Sequence, residues 1–203
     1  MTVAITSVNA AADIAGERGY EGTSINLVSE RSGLPASSIY WHFKDKDELI
    51  AAVIDRSFTQ WADTLEQPVA VPDGATGEDV FRIGLQRTGR ALAEFPDFLR
   101  LGLMLILERR PAEPTARARF IEARTVTSSR VGDALRADFA DRDADAINGL
   151  VTLTMALADG LFIASQVDDV ALDQAFSLMA TAILGTAERL GDPASRQLAA
   201  KGS

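Results

Sequence analysis

One stretch, Thr23 to Lys46 (TSINLVSERSGLPASSIYWHFKDK), narrows the possible folds more than any other. Gly33 and Pro35 sit between two short runs of helical spacing. A glycine there supplies the left-handed turn that ends one helix. A proline can open the next, because the first turn of a helix leaves its N–H without a partner anyway. The pattern predicts a helix over Ser24–Arg31 with Thr23 as its cap, a tight turn, and a second helix over Ala36–Phe43. Ile25 and Val28 face inward on the first helix. Ile39 and Phe43, four residues apart, share the buried face of the second. Ser37, Ser38, Trp41 and His42 are left on other faces. Burying Trp41 and His42 as well would overfill a unit this small, although a plain aromatic core over residues 40–43 is the competing reading. Polar and aromatic groups displayed on a short helix after a tight turn suit contact with DNA.

The rest of the chain repeats the helical period. Residues 3–17 place Val3, Ile5, Val8, Ala11, Ala12, Ile14 and Ala15 on one face, ending at Gly19. Asp45 and Glu48 form a capping-box variant that opens a long helix, Lys46–Glu66, striped by Leu49, Val53, Ile54, Phe58, Trp61 and Leu65. Residues 66–77 hold two prolines and two glycines and form the one clear linker. Helical patterns follow over Glu78–Phe95, Asp97–Glu108, Thr115–Phe139, Ala144–Val167 and Leu172–Leu190, with Arg109–Pro114 as a loop. Strand alternation and internal repeats are absent from the pattern. The expectation is an all-α chain of about nine helices. Residues 1–46 would form a helix-turn-helix domain and 47–203 a helical body, with 191–203 as a loose tail.

Composition limits what this unit can do. The 203-residue chain carries a net charge of −9 and no cysteine. Within the first fifty residues four bases (Arg18, Arg31, Lys44, Lys46) meet seven acids (Asp13, Glu17, Glu21, Glu30, Asp45, Asp47, Glu48), a net of −3. Non-specific coating of a nucleic acid needs clustered cations, so that class is excluded. Any DNA contact must rest on a few aimed groups, doubled by dimerisation. The longest apolar run, Leu101 to Leu107, falls short of the roughly 18 residues that span a bilayer. No basic region followed by an apolar signal core opens the chain. A cytoplasmic protein without membrane contact is expected. His42 is the only histidine, so no metal site or cofactor is expected. A nucleophile elbow, a metalloprotease motif and a glycine-rich phosphate loop are all missing, which makes an all-α enzyme a remote alternative.

Residues 17–50, ERGYEGTSINLVSERSGLPASSIYWHFKDKDELI, resemble the N-terminal helix-turn-helix of the TetR family of bacterial transcriptional repressors. The resemblance covers roughly residues 5 to 55. Its specific parts are the G-Y-x-x-T-S step, the S-G-L turn and Y-W-H-F-x-x-K-x-x-L-I. It implies a homodimeric repressor that binds a palindromic double-stranded DNA operator and is released by a small, largely apolar effector. The residues implied for DNA are Thr23 and Ser24 at the helix start, Ala36, Ser37 and Ser38 at the reading tip, Tyr40 and His42 on phosphates, Trp41 on backbone or a thymine methyl, and Lys46 on a phosphate. Arg or Lys ahead of the first helix is usual in the family, yet here no base precedes Arg18.

The body matches the family only in architecture. Phe58, Trp61, Gln86, Met104, Glu108, Phe120, Met155, Asp159 and Phe162 are candidates for an effector pocket, with an ordinary core as the alternative for the large apolar ones. The last two long helices are implied as the dimer contact, through Leu153, Leu157, Leu161, Phe176, Met179, Ile183 and Ala187. The long helix Lys46–Glu66 is the expected transmitter between effector and DNA. A second reading keeps the helix-turn-helix as a protein-interaction module without DNA binding.

Overall fold

A computed structural model describes residues 2–107 and 115–191. Among these, every regular element is an α-helix. There are nine: α1 (Thr2–Arg18), α2 (Ile25–Ser32), α3 (Ala36–Tyr40), α4 (Lys46–Glu66), α5 (Gly77–Glu94), α6 (Asp97–Leu107), α7 (Thr115–Asp138), α8 (Ala144–Val167) and α9 (Leu172–Gly191). The expected Arg109–Pro114 loop and the tail from Asp192 lie outside the described residues, as does Glu108.

Local chemistry sets the boundaries. Gly19 (φ 70°) and Gly33 (φ 70°) end α1 and α2 in the left-handed region, where a side chain is costly. The cap of α2 is Ser24 and not Thr23: its hydroxyl accepts the Leu27 N–H at 3.2 Å. Thr23 instead donates its hydroxyl to the Gly19 carbonyl at 2.9 Å and is 2% exposed. At α4 Asp45 and Glu48 form a variant of the capping box. Asp45 accepts the Glu48 N–H at 2.9 Å, and Glu48 accepts the Lys44 N–H at 2.6 Å. Thr76 and Asp79 make the fully reciprocal pair at the head of α5, each accepting the other's N–H. The hydrogen bonds from Thr76 hold the Asp79 carboxyl below the usual range. Asp143 caps α8 through the Ala146 N–H at 2.8 Å.

The chain packs as two compact units. One comprises Met1–Thr64 with Phe95–Thr125, the other Leu65–Glu94 with Val126–Ser203. In the first, α1, α2 and α3 close over Ile14, Ile25, Val28, Ile39 and Phe43, and Leu49, Ile50 and Ile54 of α4 are fully or nearly fully buried. Here α6 joins by way of α1, and its residues Leu101 and Leu105 are buried. Packing therefore groups α1–α3 with most of α4 and with α6, beyond residue 46. Ser57 stitches α4 to α6 by donating to the Phe95 carbonyl and accepting the Phe98 N–H, both at 3.2 Å. Gly102 is required where the Phe120 ring lies against the helix. A Cβ there would stand 2.0 Å from the ring.

In the second unit α5 and α9 pack together, and α8 lies on α9. Gly89 lets α5 approach the Leu172 carbonyl, which a Cβ would meet at 2.5 Å. Phe176, Met179, Ile183 and Ala187 are all buried within the chain. This corrects their assignment to a dimer contact: they are core of this unit. The large apolar residues that α9 leaves outside are Leu178 (71% exposed) and Leu190. On α8, Leu153, Leu157 and Leu161 are partly exposed, and Ile163 and Val167 are exposed. By length and composition α8 could also cross a membrane, with a mean hydropathy of 1.6 over a window only 22% buried. Reading for unbroken apolar runs passes over this, because Asn148, Thr152 and Asp159 interrupt the helix.

Candidate nucleic-acid interface

The turn between α2 and α3 is held from behind. Ser29 donates its hydroxyl to the Leu34 carbonyl at 2.6 Å, fixing the residue before Pro35. Pro35 (φ −58°) then starts α3, a helix only five residues long. Its continuation to Phe43 is a turn, with the His42 and Phe43 N–H groups both donating to the Ile39 carbonyl. Ile39 (0% exposed) and Phe43 (8%) anchor this segment to the core, as their spacing predicts.

That anchoring leaves the other faces outside. Trp41 is 84% and Tyr40 54% exposed, and Ser37 and His42 are exposed as well. Ala36, Ser38 and Ser24 are half-buried. The alternative of an aromatic core over residues 40–43 therefore holds for Phe43 alone. Ser37, Ser38, Trp41 and His42 converge with Val3 on a cleft of about 310 Å³. Val3 is the member that spacing could not place there, since it lies on the opposite end of the unit in sequence.

Thr23 is the exception among the DNA candidates. Its burial and its bond to Gly19 remove its hydroxyl from any phosphate. Ser24, as the cap, takes the position at the helix start. Lys46 is half-buried, with its ammonium 3.3 Å from a Glu21 carboxylate oxygen and 4.4 Å from the centroid of the Tyr20 ring. Arg31 is committed to Glu17 by two parallel bonds of 2.9 and 3.1 Å. That guanidinium holds the Glu17 carboxyl below its ordinary range. Glu21 and Glu17 are the neighbours that sequence reading missed. Only their excess of negative charge over the first fifty residues signalled them.

The effector candidates are divided between the two compact units. Phe58, Trp61, Met104 and Phe120 belong to the first compact unit, whereas Gln86, Met155, Asp159 and Phe162 belong to the second. Glu108 lies outside the described residues. Phe58, Trp61 and Phe98 form an aromatic cluster with centroids 5.3 to 5.7 Å apart. Phe120 and Phe162 are buried core residues. Trp61 Nε1–H is buried and has no acceptor among the described residues. A second cleft, about 210 Å³, is lined by Asn9, Asp13, Arg56, Gln60 and Asp97 and by none of these candidates. Burial raises the Asp97 carboxyl, against the opposing pull of Arg100.

Comparison with known proteins agrees with this geometry. Residues 8–53 match the family model for bacterial regulatory proteins of the tetR family. An HTH-type transcriptional repressor of Mycobacterium tuberculosis is 33% identical over 91 residues. That alignment spans 45% of this chain and 45% of the relative, so it covers less than half of either. Among solved structures, the fatty acid degradation regulator FadR of Bacillus halodurans superposes with a TM-score of 0.70 at 14% identity, covering 89% of this chain and 94% of that one. The FadR of Bacillus subtilis, in complex with stearoyl-CoA, gives 0.68 at 12% identity over 88% and 96%. SmeT, the repressor of a Stenotrophomonas maltophilia multidrug efflux pump, gives 0.65 at 19% identity over 90% and 88%. The structural matches show the fold along most of the chain, and residues 8–53 carry the match to the tetR family of bacterial regulatory proteins.

Proposed function

We propose that the chain is a transcriptional repressor that binds a palindromic operator as a homodimer and leaves it when a small, largely apolar effector binds the helical body. The observation that carries the DNA reading is the division of α3 and its following turn. Ile39 and Phe43 are buried, while Ser37, Tyr40, Trp41 and His42 are displayed. Folding gains little from an 84% exposed tryptophan; a surface that contacts base edges and phosphates does. Short residues at Ala36, Ser37 and Ser38 permit close approach to the major groove, and Ser24 and Lys46 would hold phosphates.

The homodimer reading is supported by the apolar face left on α8 and α9. Ile163, Val167 and Leu178 expose aliphatic surface that a second copy would cover. Two copies place two reading tips on one duplex, with half-sites about 34–36 Å apart. The effector reading draws on the Phe58–Trp61–Phe98 cluster and on the partnerless Trp61 N–H. An unmatched buried donor costs about 1–3 kcal/mol, which a ligand acceptor would relieve. Residues 1–46 as the DNA-binding part and 47–203 as the effector and dimer part remain our functional division, with α4 as the link.

The test is selection of duplexes from a random library by purified protein, followed by gel shift at low salt. An enriched inverted repeat bound by a dimer supports the proposal. The acidic balance of the first fifty residues favours a second reading, a protein-interaction module. Failure to enrich any duplex, with the protein folded and dimeric, would decide for that reading.

A further inference from the structure

The Lys46 ammonium, which the proposed function assigns to a DNA phosphate, already has occupants in the free chain. It donates to the Tyr20 carbonyl at 3.3 Å and pairs with Glu21 Oε2 at 3.3 Å, lying over the Tyr20 ring. Two walls of this cage are rigid. Tyr20 is 7% exposed, and its hydroxyl donates to Asp47 Oδ1 at 3.0 Å. Asp47 in turn accepts the Thr115 and Ala116 N–H groups at the head of α7. The ring and carbonyl of Tyr20 are therefore held between the start of α4 and the start of α7.

The third wall is different. The Glu21 side chain is 70% exposed, against 28% for Lys46. A carboxylate oxygen on a lysine ammonium has the charge and the acceptor chemistry of a phosphate oxygen. A phosphate arriving at Lys46 must displace the Glu21 carboxylate or share the ammonium with it against like-charge repulsion. We infer that Glu21 is an intramolecular stand-in for phosphate, an affinity-lowering residue that keeps Lys46 occupied until DNA displaces it. This inference rests on the reading of Lys46 as a phosphate contact.

Because phosphate contacts carry no base information, Glu21 lowers affinity for every duplex alike. In an exposed pair the effect is modest, about two- to five-fold in the dissociation constant. Its consequence is weaker binding to selected and unrelated duplexes alike, in keeping with a chain whose DNA-facing unit is net acidic.

A double-mutant cycle tests this. Wild type, Glu21→Gln, Lys46→Gln and the double variant are titrated by fluorescence anisotropy against the selected duplex and a scrambled one. Thermal midpoints confirm that each variant is folded. Lys46→Gln should weaken binding to both duplexes. Glu21→Gln should tighten binding to both, about two- to five-fold, and should change nothing once Lys46 is glutamine. Equal tightening in both backgrounds would mean a general charge effect and would overturn the inference, as would no tightening in the wild-type background. If Lys46→Gln binds DNA as wild type does, the phosphate reading of Lys46 fails first, and the role of Glu21 fails with it.

Discussion

Two of the regions that expose large apolar side chains do so with different chemistry. At the end of α3, Tyr40 and Trp41 carry a hydroxyl and an indole N–H and stand beside Ser37 and His42. On α8 and α9, Ile163, Val167 and Leu178 are purely aliphatic. An aromatic ring with a polar handle suits a partner with both flat faces and anionic oxygens. Aliphatic surface, with no hydrogen-bonding atom of its own, suits an apolar partner. The comparison teaches that exposure alone does not name a partner, whereas the polar atoms at the rim of the exposed surface do.

Charging the aliphatic strip should have the largest effect. Leu178→Glu is expected to turn the dimer into a monomer in sedimentation and to lower affinity for the selected duplex on the order of 100-fold, because two half-sites no longer act together. A variant that stays dimeric with unchanged affinity would remove α9 from the interface.

Ile183→Ala, on the same helix but 0% exposed, should cost about 2–4 kcal/mol in urea unfolding. Its cost should not depend on protein concentration, whereas that of Leu178→Ala should. Concentration dependence for Ile183 would restore that residue to the dimer contact. Trp41→Ala should weaken DNA binding on the order of 10-fold, with a thermal midpoint within about 2 °C of wild type. A large fall in the midpoint would instead place Trp41 in the core.

The smallest effect belongs to a control away from both surfaces. Burial raises the Asp97 carboxyl above its unfolded value. Its charged form therefore opposes folding at neutral pH, and stability is recovered as pH falls through the raised value. Asp97→Asn should be more stable than wild type at pH 7 by under about 1 kcal/mol. The gap should close as pH falls below the carboxylate range. A gap that widens on acidification would show that the charged form is favoured after all.

Much of the fold was legible because helix chemistry is local. The capping box at Asp45 and Glu48, the stop at Gly33 and the start at Pro35 each act within one turn of chain. So did the burial of Ile39 and Phe43, whose four-residue spacing puts them on one face. The cap of α2 slipped by one residue because Thr23 and Ser24 are both good caps in sequence. The competition was settled by the Gly19 carbonyl, which takes the Thr23 hydroxyl. The α9 contacts were misassigned because that helix has two apolar sides. Periodicity marks both sides but does not say which one the chain itself covers.

Sequence alone determined the helical class, the turn between α2 and α3, and the split between buried Ile39 and Phe43 and displayed Ser37, Trp41 and His42. Those properties follow from backbone geometry and from 3.6-residue spacing, which operate over a few neighbours. Tertiary structure decided what faces what. It turned Phe176, Met179, Ile183 and Ala187 into core by packing α9 on α5 and α8. It also brought Glu21 to Lys46, and Asp47 to the head of α7, across separations of 25 and 68 residues. Such pairings depend on how whole helices pack, and no local pattern in the chain encodes them.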